Sequence, residues 1–415
     1  MTDPRAELTE HVAAWVAEAW DRDLALVEWR RRLVDARWAV PSWPARWFGR
    51  DLPAWADDVV HDVLRRAGAV GLPVGGGVAL AAPTILTHGP DDVRERFLAP
   101  TLTGEITWCQ LFSEPGAGSD LAGLTTTAVR DGDRWIVNGQ KVWNTSAHHA
   151  DFGILVARTN WDVPKHRGLS YFALPMKQPG VEVRPLRQMN FHASFNEVFM
   201  TDAEIPTDHL IGAEGGGWAV ALTTLAFERR FGVMMSSPRF GGGGRANAEA
   251  EAEADEHLRT YSWYPQRAGR ADLVAPHASA AGVTEDPLVR QGVAAVTARQ
   301  RVSGWTAERA KAARALGRPP GAEGSIGKLA LSALAREAGA LHTLIGGAHA
   351  MLAGDDPAAP LDGVLAEILI SVPGQSIAGG TDEIQHNILG EKALGLPRDP
   401  SVDRDLPFRA VPRNA

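Results

Sequence analysis

The sequence of 415 residues contains a single cysteine, Cys109. One cysteine cannot form an intramolecular disulfide, and it cannot supply a cysteine cluster for a metal ion. We interpret Cys109 as a small buried apolar residue, because lone cysteines pack more often than they react. The composition therefore predicts no disulfide-stabilised fold, and no metal is expected.

Long apolar runs are also lacking. No uninterrupted run approaches the ~20 residues that cross a bilayer, so no membrane span is predicted. The first 18 residues carry Asp, Arg and Glu among Leu, Val and Ala, and they lack the basic region and apolar core of a signal peptide. These two observations predict a cytoplasmic protein.

The chain has no excess of positive charge. It carries 42 Lys and Arg against 50 Asp and Glu, which gives a formal net charge of -8. This balance argues against a chain-wide basic surface for nucleic acid, although it leaves local basic pockets open. Hydrophobic residues make up 45% of the chain, an ordinary globular fraction, and the length suffices for two or three domains.

The middle of the chain differs in pattern from its two ends. Residues 1–104 and 216–415 contain apolar residues at helical spacing. Residues 105–215 instead contain short β-rich runs between turn signals, which predict a barrel or a sandwich. The order predicts an α+β fold with three domains over these ranges. The predicted strands are Thr107–Phe112, Leu124–Arg130, Trp135–Val142, Phe152–Thr159, Leu169–Leu174, Val181–Leu186 and Asn196–Val198.

Further predictions concern two turns, a long insert and the C-terminal tail. Turns are predicted at Asp131-Gly132-Asp133 and at Asn138-Gly139. Residues 241–282 form a long irregular insert in the C-terminal region, and its acidic part, Glu249 to Glu256, is predicted to be a solvated helix face. The tail after Pro397 is predicted to be loose.

Two long motifs indicate the class of protein to which the chain is similar. The first runs from Gln110 through EPGAGSD to Ala122 and continues as WIVNGQKVWNTS from Trp135 to Ser146. The pair Gly116-x-Gly118 by itself predicts only a turn, because glycine-rich turns are common. The second motif is GGTDEIQ at Gly379 to Gln385, followed by Gly390-Glu391. Together the motifs closely resemble the signature of the acyl-CoA dehydrogenase family, in which EPGAGSD precedes a hairpin and NGxKxW.

The resemblance implies an N-terminal helical domain, a central β domain and a C-terminal four-helix bundle that bind FAD. It implies that Phe112 and Ser113 contact the flavin pyrimidine ring, that Trp143 covers the isoalloxazine and that Thr145 reaches towards N5. It places Thr381 and Glu383 at the FAD phosphates or ribose. Ordinary packing in the barrel stays an alternative for Trp143.

The resemblance also implies the reaction. An acyl-CoA substrate would lose an α-proton to a base and a β-hydride to flavin N5, giving a trans-2-enoyl-CoA. Ser119 would line the acyl-CoA channel, and Arg229 lies beside the base segment and would help to bind the substrate. An electron-transferring flavoprotein would accept the electrons, and a dimer or tetramer would complete the FAD site.

The base departs from the commonest family pattern. Many members carry Glu immediately before the Gly-Thr of the second motif, whereas this chain carries Gly379. Other members take the base from a segment like Leu-x-x-Glu-Arg, which here is Leu225 to Arg229. Glu228 is therefore the predicted base, and burial on an apolar helix face would raise its pKa. An ion pair of Glu228 with Arg229 or Arg230 is the alternative, and Glu367 and Glu383 are weaker candidates.

Two other functions stay open. Gly379 motivates one of them, a catalytically silent subunit of a hetero-oligomer that would support an active partner. The other is a flavin oxidase or monooxygenase on the same fold, in which oxygen accepts the electrons.

Three histidines receive structural interpretations. His148 and His149 are adjacent, and neighbours on a strand face opposite ways, so a shared metal is not predicted. His192 lies where the family turns towards the CoA side, and a satisfied polar turn is an equal alternative.

Overall fold

The computed structural model describes residues 3–228, 242–315, 323–354, 356–398, 400 and 403–412. They fall into two compact units. Unit 1 comprises Met1–Leu186, Ala193–Thr260 and Ser401–Ala415, and unit 2 comprises Arg187–His192 and Tyr261–Pro400. Each unit is described by itself below.

Unit 1 begins with a helical segment built around buried tryptophans. Asp3 caps the first helix by accepting a hydrogen bond from the N–H of Arg5, and Pro4 occupies its first position. Trp29 is fully buried and donates its indole N–H to the carbonyl of Val70 (2.7 Å), so its one polar group is satisfied. The helices are α1 (Pro4–Ala19), α2 (Leu26–Asp35), α3 (Trp55–Arg66), α4 (Ala82–His88) and α5 (Asp91–Thr103).

A seven-stranded sheet follows in unit 1. Its order is β1-β4-β2-β3-β7-β6, and β5 pairs with β4. The β1–β4 pair is parallel, and the β2–β3, β3–β7, β4–β5 and β6–β7 pairs are antiparallel. The strands are β1 (Trp108–Leu111), β2 (Thr127–Asp131), β3 (Arg134–Thr145), β4 (Phe152–Arg158), β5 (Leu169–Pro175), β6 (Val181–Leu186) and β7 (Phe195–Pro206).

The two predicted turns have different outcomes. Gly132 and Asp133 join β2 to β3, and Gly132 has a left-handed φ of 62°, as a tight hairpin requires. The turn predicted at Asn138-Gly139 is wrong, because both residues lie inside β3. The register with β7 shifts between Val137 and Gly139. A Cβ on Gly139 would lie 2.4 Å from Oγ1 of Thr126, so the glycine serves a close approach within the sheet.

Part of the insert packs on the N-terminal helices of unit 1. Helix α6 (Gly217–Glu228) precedes it, and helix α7 (Arg245–Arg259) buries Ala246, Ala250 and Ala254. The carboxylate of Glu253 accepts hydrogen bonds from the buried guanidinium of Arg30 at 2.6 and 3.1 Å. Glu249 accepts one from the backbone N–H of Leu26 at 2.8 Å. The prediction of a solvated acidic face is therefore wrong for these two residues, although Glu251 and Glu256 are exposed.

The tail returns to unit 1, and the prediction that it is loose is wrong for residues 403–412. Phe408 is buried, and its ring lies 3.4 Å from the guanidinium carbon of Arg158. Arg158 is also buried and donates to the carbonyls of Leu124 (3.1 Å) and Ala122 (2.6 Å). The N–H of Phe408 donates to Val163 (2.9 Å), so the backbone of the tail is fixed as well.

Unit 2 is helical in its described residues. Its two long helices run antiparallel, since Gly292 faces Leu341 and Arg299 pairs with Glu337. The predicted order of helices, sheet and helices along the chain is confirmed. The helices are α8 (Tyr264–Arg267), α9 (Val274–Ala280), α10 (Pro287–Ala315), α11 (Glu323–Gly346), α12 (Val364–Ser371), α13 (Pro373–Ile377) and α14 (Asp382–Ile388).

One segment of unit 2, Pro360–Ala393, is long and apolar enough to cross a membrane by length and composition. Within it, Gly379 and Gly380 have left-handed φ values of 66° and 83°, which interrupt the helix before α14. A core helix passes the same test, so one such segment is weak evidence for a span. The absence of a membrane span stays a prediction.

Candidate active site

Strand β1 leads directly into the first motif. Phe112 is buried and packs edge-to-face on Tyr171, with ring centroids 5.8 Å apart. Its carbonyl accepts a hydrogen bond from Nζ of Lys141 at 2.9 Å. The carbonyl of Ser113, which is half-buried, accepts one from the N–H of Val142, also at 2.9 Å. Strand β3 thus fixes the backbone of both residues that the resemblance assigns to the flavin.

A buried ion pair closes the loop of the motif. Oε1 of Glu114 lies 2.9 Å from Nζ of Lys141, which is fully buried. The carboxylate also accepts hydrogen bonds from the N–H groups of Thr125 (2.7 Å) and Thr126 (2.9 Å). A charge can be buried only when it is paired and hydrogen-bonded in this way. The pair therefore ties both ends of the loop to β3.

Burial opposes the ionisation of Glu114, but the charge of Lys141 and the hydrogen bonds from Thr126 and Thr125 outweigh it. Together they lower the pKa of Glu114 from 4.5 to about 2. The carboxylate consequently stays ionised well into the acid range, and it acts here as a structural anion.

This shift predicts how stability depends on pH. Because the pKa of Glu114 is lowered in the folded state, its contribution is complete above pH 4.5 and is lost as the pH falls towards about 2. Over that window the wild type should lose up to about 1.4 kcal/mol per pH unit more than Glu114→Gln. Urea unfolding at several pH values between 5 and 3 measures both slopes. If the free energy of unfolding had the same pH dependence in the wild type and in Glu114→Gln, Glu114 would not be the structural anion assigned here.

A bulge in β3 exposes the side chain of Trp143. The register with β7 shifts between Lys141 and Asn144, and Trp143 has a left-handed φ of 65°. A bulky residue rarely adopts this conformation, and bulges commonly re-aim side chains beside active sites. The residue is 55% exposed, and its ring meets Phe195 edge-on at 5.6 Å. The alternative of ordinary packing in the barrel is therefore not what the structure shows.

Glu228 lies at the last described position of α6. One turn earlier, Oγ1 of Thr224 lies 2.9 Å from the hydroxyl of Tyr171, which fixes the helix on β5. The half-buried carboxylate of Glu228 accepts a hydrogen bond from Nε2 of Gln110 at 3.3 Å. The carbonyl of Gln110 in turn accepts one from Nδ2 of Asn144 at 2.7 Å. Gln110 thus links the predicted base to the segment between Trp143 and Thr145.

The tip of the first motif is open. Ser119 is exposed, and a Cβ on Gly116 or Gly118 would meet no atom within 4 Å. Thr145 is half-buried. The open loop and the exposed ring of Trp143 leave room for a flat aromatic group, so the residues present fit a flavin. Arg229 lies outside the described residues.

The second motif lies in unit 2 and begins α14. Thr381 caps the helix, with Oγ1 accepting a hydrogen bond from the N–H of Ile384 at 3.3 Å. Glu383 is exposed, and hydrogen bonds from its own backbone N–H and from Thr381 lower its pKa. A lowered pKa makes Glu383 a weaker base. Gly379 has open space around its Cβ position, but its φ of 66° would strain any other residue.

Glu367 is also held by hydrogen bonds within unit 2. Its Oε1 lies 2.9 Å from Nε2 of His192, and its Oε2 accepts from Gln266 at 3.3 Å. His192 therefore takes part in a satisfied polar turn. Glu367 stays a weaker candidate for the base.

Sequence reasoning missed five buried charges among the described residues, namely Arg30, Glu114, Lys141, Arg158 and Asp382. Burial opposes the ionisation of Asp382, but hydrogen bonds from Lys328 and Arg336, both at 2.6 Å, lower its pKa well below the usual range. Lys141 offered a signal, because it lies in a β-rich run where every second side chain faces the core. The partners of these buried charges lie far away in the sequence, so no local pattern indicated which residues they pair with.

Comparison with known proteins identifies the family of this chain. Three family models match, namely the acyl-CoA dehydrogenase N-terminal domain at residues 3–105, the middle domain at 109–203 and the C-terminal domain at 275–394. The acyl-CoA dehydrogenase IpdE1 of Mycobacterium tuberculosis is 33% identical over 89% of this chain and 88% of its own length. The chain therefore belongs to the acyl-CoA dehydrogenase family of oxidoreductases, which confirms the resemblance and the predicted fold class.

Two further relatives are informative. The acyl-CoA dehydrogenase FadE34 of the same organism is 46% identical over 54% of this chain, which spans only 31% of FadE34. The crystal structure of the ChsE4–ChsE5 complex from Mycobacterium tuberculosis matches with a TM-score of 0.64 and 27% identity, over 96% of this chain and 99% of that chain. Family membership implies a flavin cofactor.

Proposed function

We propose that the protein is an FAD-dependent acyl-CoA dehydrogenase that converts an acyl-CoA into a trans-2-enoyl-CoA, with Glu228 as the base. The hydrogen bond between Glu228 and Gln110 carries this proposal. It places the carboxylate beside the strand that leads into Phe112 and Ser113 and, through Asn144, beside Trp143 and Thr145. The FAD supplies the acceptor for the β-hydride.

Glu228 has the properties that a base needs. It is half-buried, and the helix that carries it is fixed by the hydrogen bond of Thr224 to Tyr171. The hydrogen bond from Gln110 orients the carboxylate, and a carboxylate held in one position is a suitable general base. Glu228 removes the α-proton and holds it until the product leaves.

The other side chains divide between cofactor and substrate. Phe112, Ser113, Trp143 and Thr145 hold the flavin ring, and the open loop at Ser119, with Arg229, receives the acyl-CoA. Thr381 and Glu383 contact FAD phosphate or ribose. We place the protein in the cytoplasm as a dimer or tetramer, with an electron-transferring flavoprotein as acceptor.

The test is anaerobic bleaching of the bound flavin. The purified protein should carry FAD, and at least one member of an acyl-CoA panel should bleach its absorbance near 450 nm. Panel members should span short, long, branched and bulky acyl groups, because the sequence does not define the acyl chain. Protein that holds FAD but bleaches with no acyl-CoA would contradict the proposal. Rapid reoxidation by air after bleaching would indicate an oxidase or monooxygenase instead.

A second candidate is a catalytically silent subunit. Two observations favour it: Gly379 replaces the commoner base, and one structural relative is a complex of two different chains. In that case the isolated chain should hold no FAD, and co-expression with a partner chain should restore flavin binding.

A further inference from the structure

His148 and His149 lie together in a turn after β3. The N–H of His149 donates to the carbonyl of Ser146 (3.3 Å), which defines the turn, and Ala147 and Ala150 are buried beneath it. Nε2 of His148 lies 3.1 Å from Nδ1 of His149, and the two ring centroids are 4.5 Å apart. Alternation along a strand therefore does not separate these rings, because the residues are not in a strand.

A third side chain comes from the insert. Glu256 lies on α7, one turn after Glu253, whose carboxylate is bound to Arg30. One ligand atom from each of His148, His149 and Glu256 lies within 4.8 Å of the other two. Arg259 contacts Oε2 of Glu256 at 2.8 Å, and a carboxylate has a second oxygen for another partner. A helix that is fixed on the N-terminal segment thus presents a carboxylate to two imidazoles.

We infer that His148, His149 and Glu256 bind one divalent transition-metal ion of the zinc class. Two imidazole nitrogens at 2.0–2.1 Å from a tetrahedral ion lie about 3.3 Å apart. This is close to the 3.1 Å between Nε2 of His148 and Nδ1 of His149. Two imidazoles and one carboxylate form a ligand set that such ions favour, and water completes the coordination. All three side chains are exposed, so the ion has direct access from solvent.

A bound ion would join α7 to the loop that follows Thr145. This inference rests on these three side chains and does not depend on the proposed function.

The test is metal titration of the untagged full-length holoprotein after removal of metals with a chelator. Isothermal titration should show one Zn²⁺ per chain, and Co²⁺ should give visible absorption bands, whereas Mg²⁺, which prefers oxygen ligands, should give neither. His149→Ala and Glu256→Gln should each weaken Zn²⁺ binding at least about tenfold, since even outer partners of metal ligands contribute that much. The matched control is His61→Ala, an exposed histidine on α3, which should leave Zn²⁺ binding unchanged.

Any one of three results with the wild type and these two variants would overturn the inference. They are the absence of any heat of Zn²⁺ binding in the wild type, a Zn²⁺ affinity of His149→Ala equal to that of the wild type, and a Zn²⁺ affinity of Glu256→Gln equal to that of the wild type. Because the three positions are exposed, circular dichroism should show native folding in every variant. His148→Ala provides a second loop variant, and equal affinity there would also overturn the inference.

Discussion

Glu228→Gln is expected to slow reduction of the bound flavin by acyl-CoA about 10²- to 10⁴-fold, the usual contribution of a positioned base. Glutamine has the shape of glutamate and can still meet Gln110, but it cannot accept the α-proton. Anaerobic stopped-flow absorbance, with the best substrate of the panel, measures the rate. The variant should keep its FAD, since the substitution removes a proton acceptor and little volume.

Glu367→Gln is the matched control, because Glu367 is a weaker candidate for the base and the proposed function does not place it at the FAD. It should reduce its flavin at close to the wild-type rate. Unchanged bleaching in Glu228→Gln would show that the base lies elsewhere, and a loss of bleaching in Glu367→Gln would identify it. The enzyme class would stand in either case, because it depends on the wild-type result.

Lys141→Met is expected to lower the free energy of unfolding by about 3–5 kcal/mol. Methionine removes the cation and leaves the carboxylate of Glu114 buried without its counter-charge. It also removes the donor that holds the carbonyl of Phe112. Urea unfolding followed by circular dichroism measures the change, and the holoprotein should lose FAD more readily because the loop is no longer tied to β3.

Two variants test whether the uncompensated buried charge of Glu114 causes the loss of stability in Lys141→Met. Lys177→Met removes an exposed cation that pairs with Asp151, and it should cost about 1 kcal/mol or less. The double variant Lys141→Met/Glu114→Gln should recover part of the stability lost in Lys141→Met, since no charge is then left buried. A Lys141→Met variant as stable as Lys177→Met would contradict the assigned role of the pair.

Local patterns predicted much of the sheet. The strand Val181–Leu186 and the hairpin at Gly132 depend on neighbouring residues, so the sequence sufficed for both. Asn138-Gly139 failed because the same dipeptide that favours a turn also permits two backbones to approach closely. At Gly139 the backbone that approaches closely belongs to Thr126. The residues next to Gly139 in the sequence do not reveal where Thr126 lies, so they could not distinguish a turn from a close approach.

The candidate site shows the same limit. The motifs singled out Trp143 and Glu228, but the link between them passes through Gln110, which is 118 residues from Glu228. Likewise Glu114 and Lys141 are 27 residues apart, and neither position alone indicates a pair. Such contacts depend on the register of β3 and on the docking of α6, which are properties of the folded chain.

The tail has a consequence for the order in which the protein is made. Unit 1 contains the strands β1 to β6 and also Phe408. Both segments of unit 2, Arg187–His192 and Tyr261–Pro400, lie between β6 and Phe408 in the sequence. The ring that covers the guanidinium of Arg158 therefore leaves the ribosome about 250 residues after the strand that carries Arg158. In the nascent sheet Phe408 therefore cannot cover that arginine until the segment around residue 408 has been translated, so unit 1 is completed only after the intervening helices of unit 2 have been made.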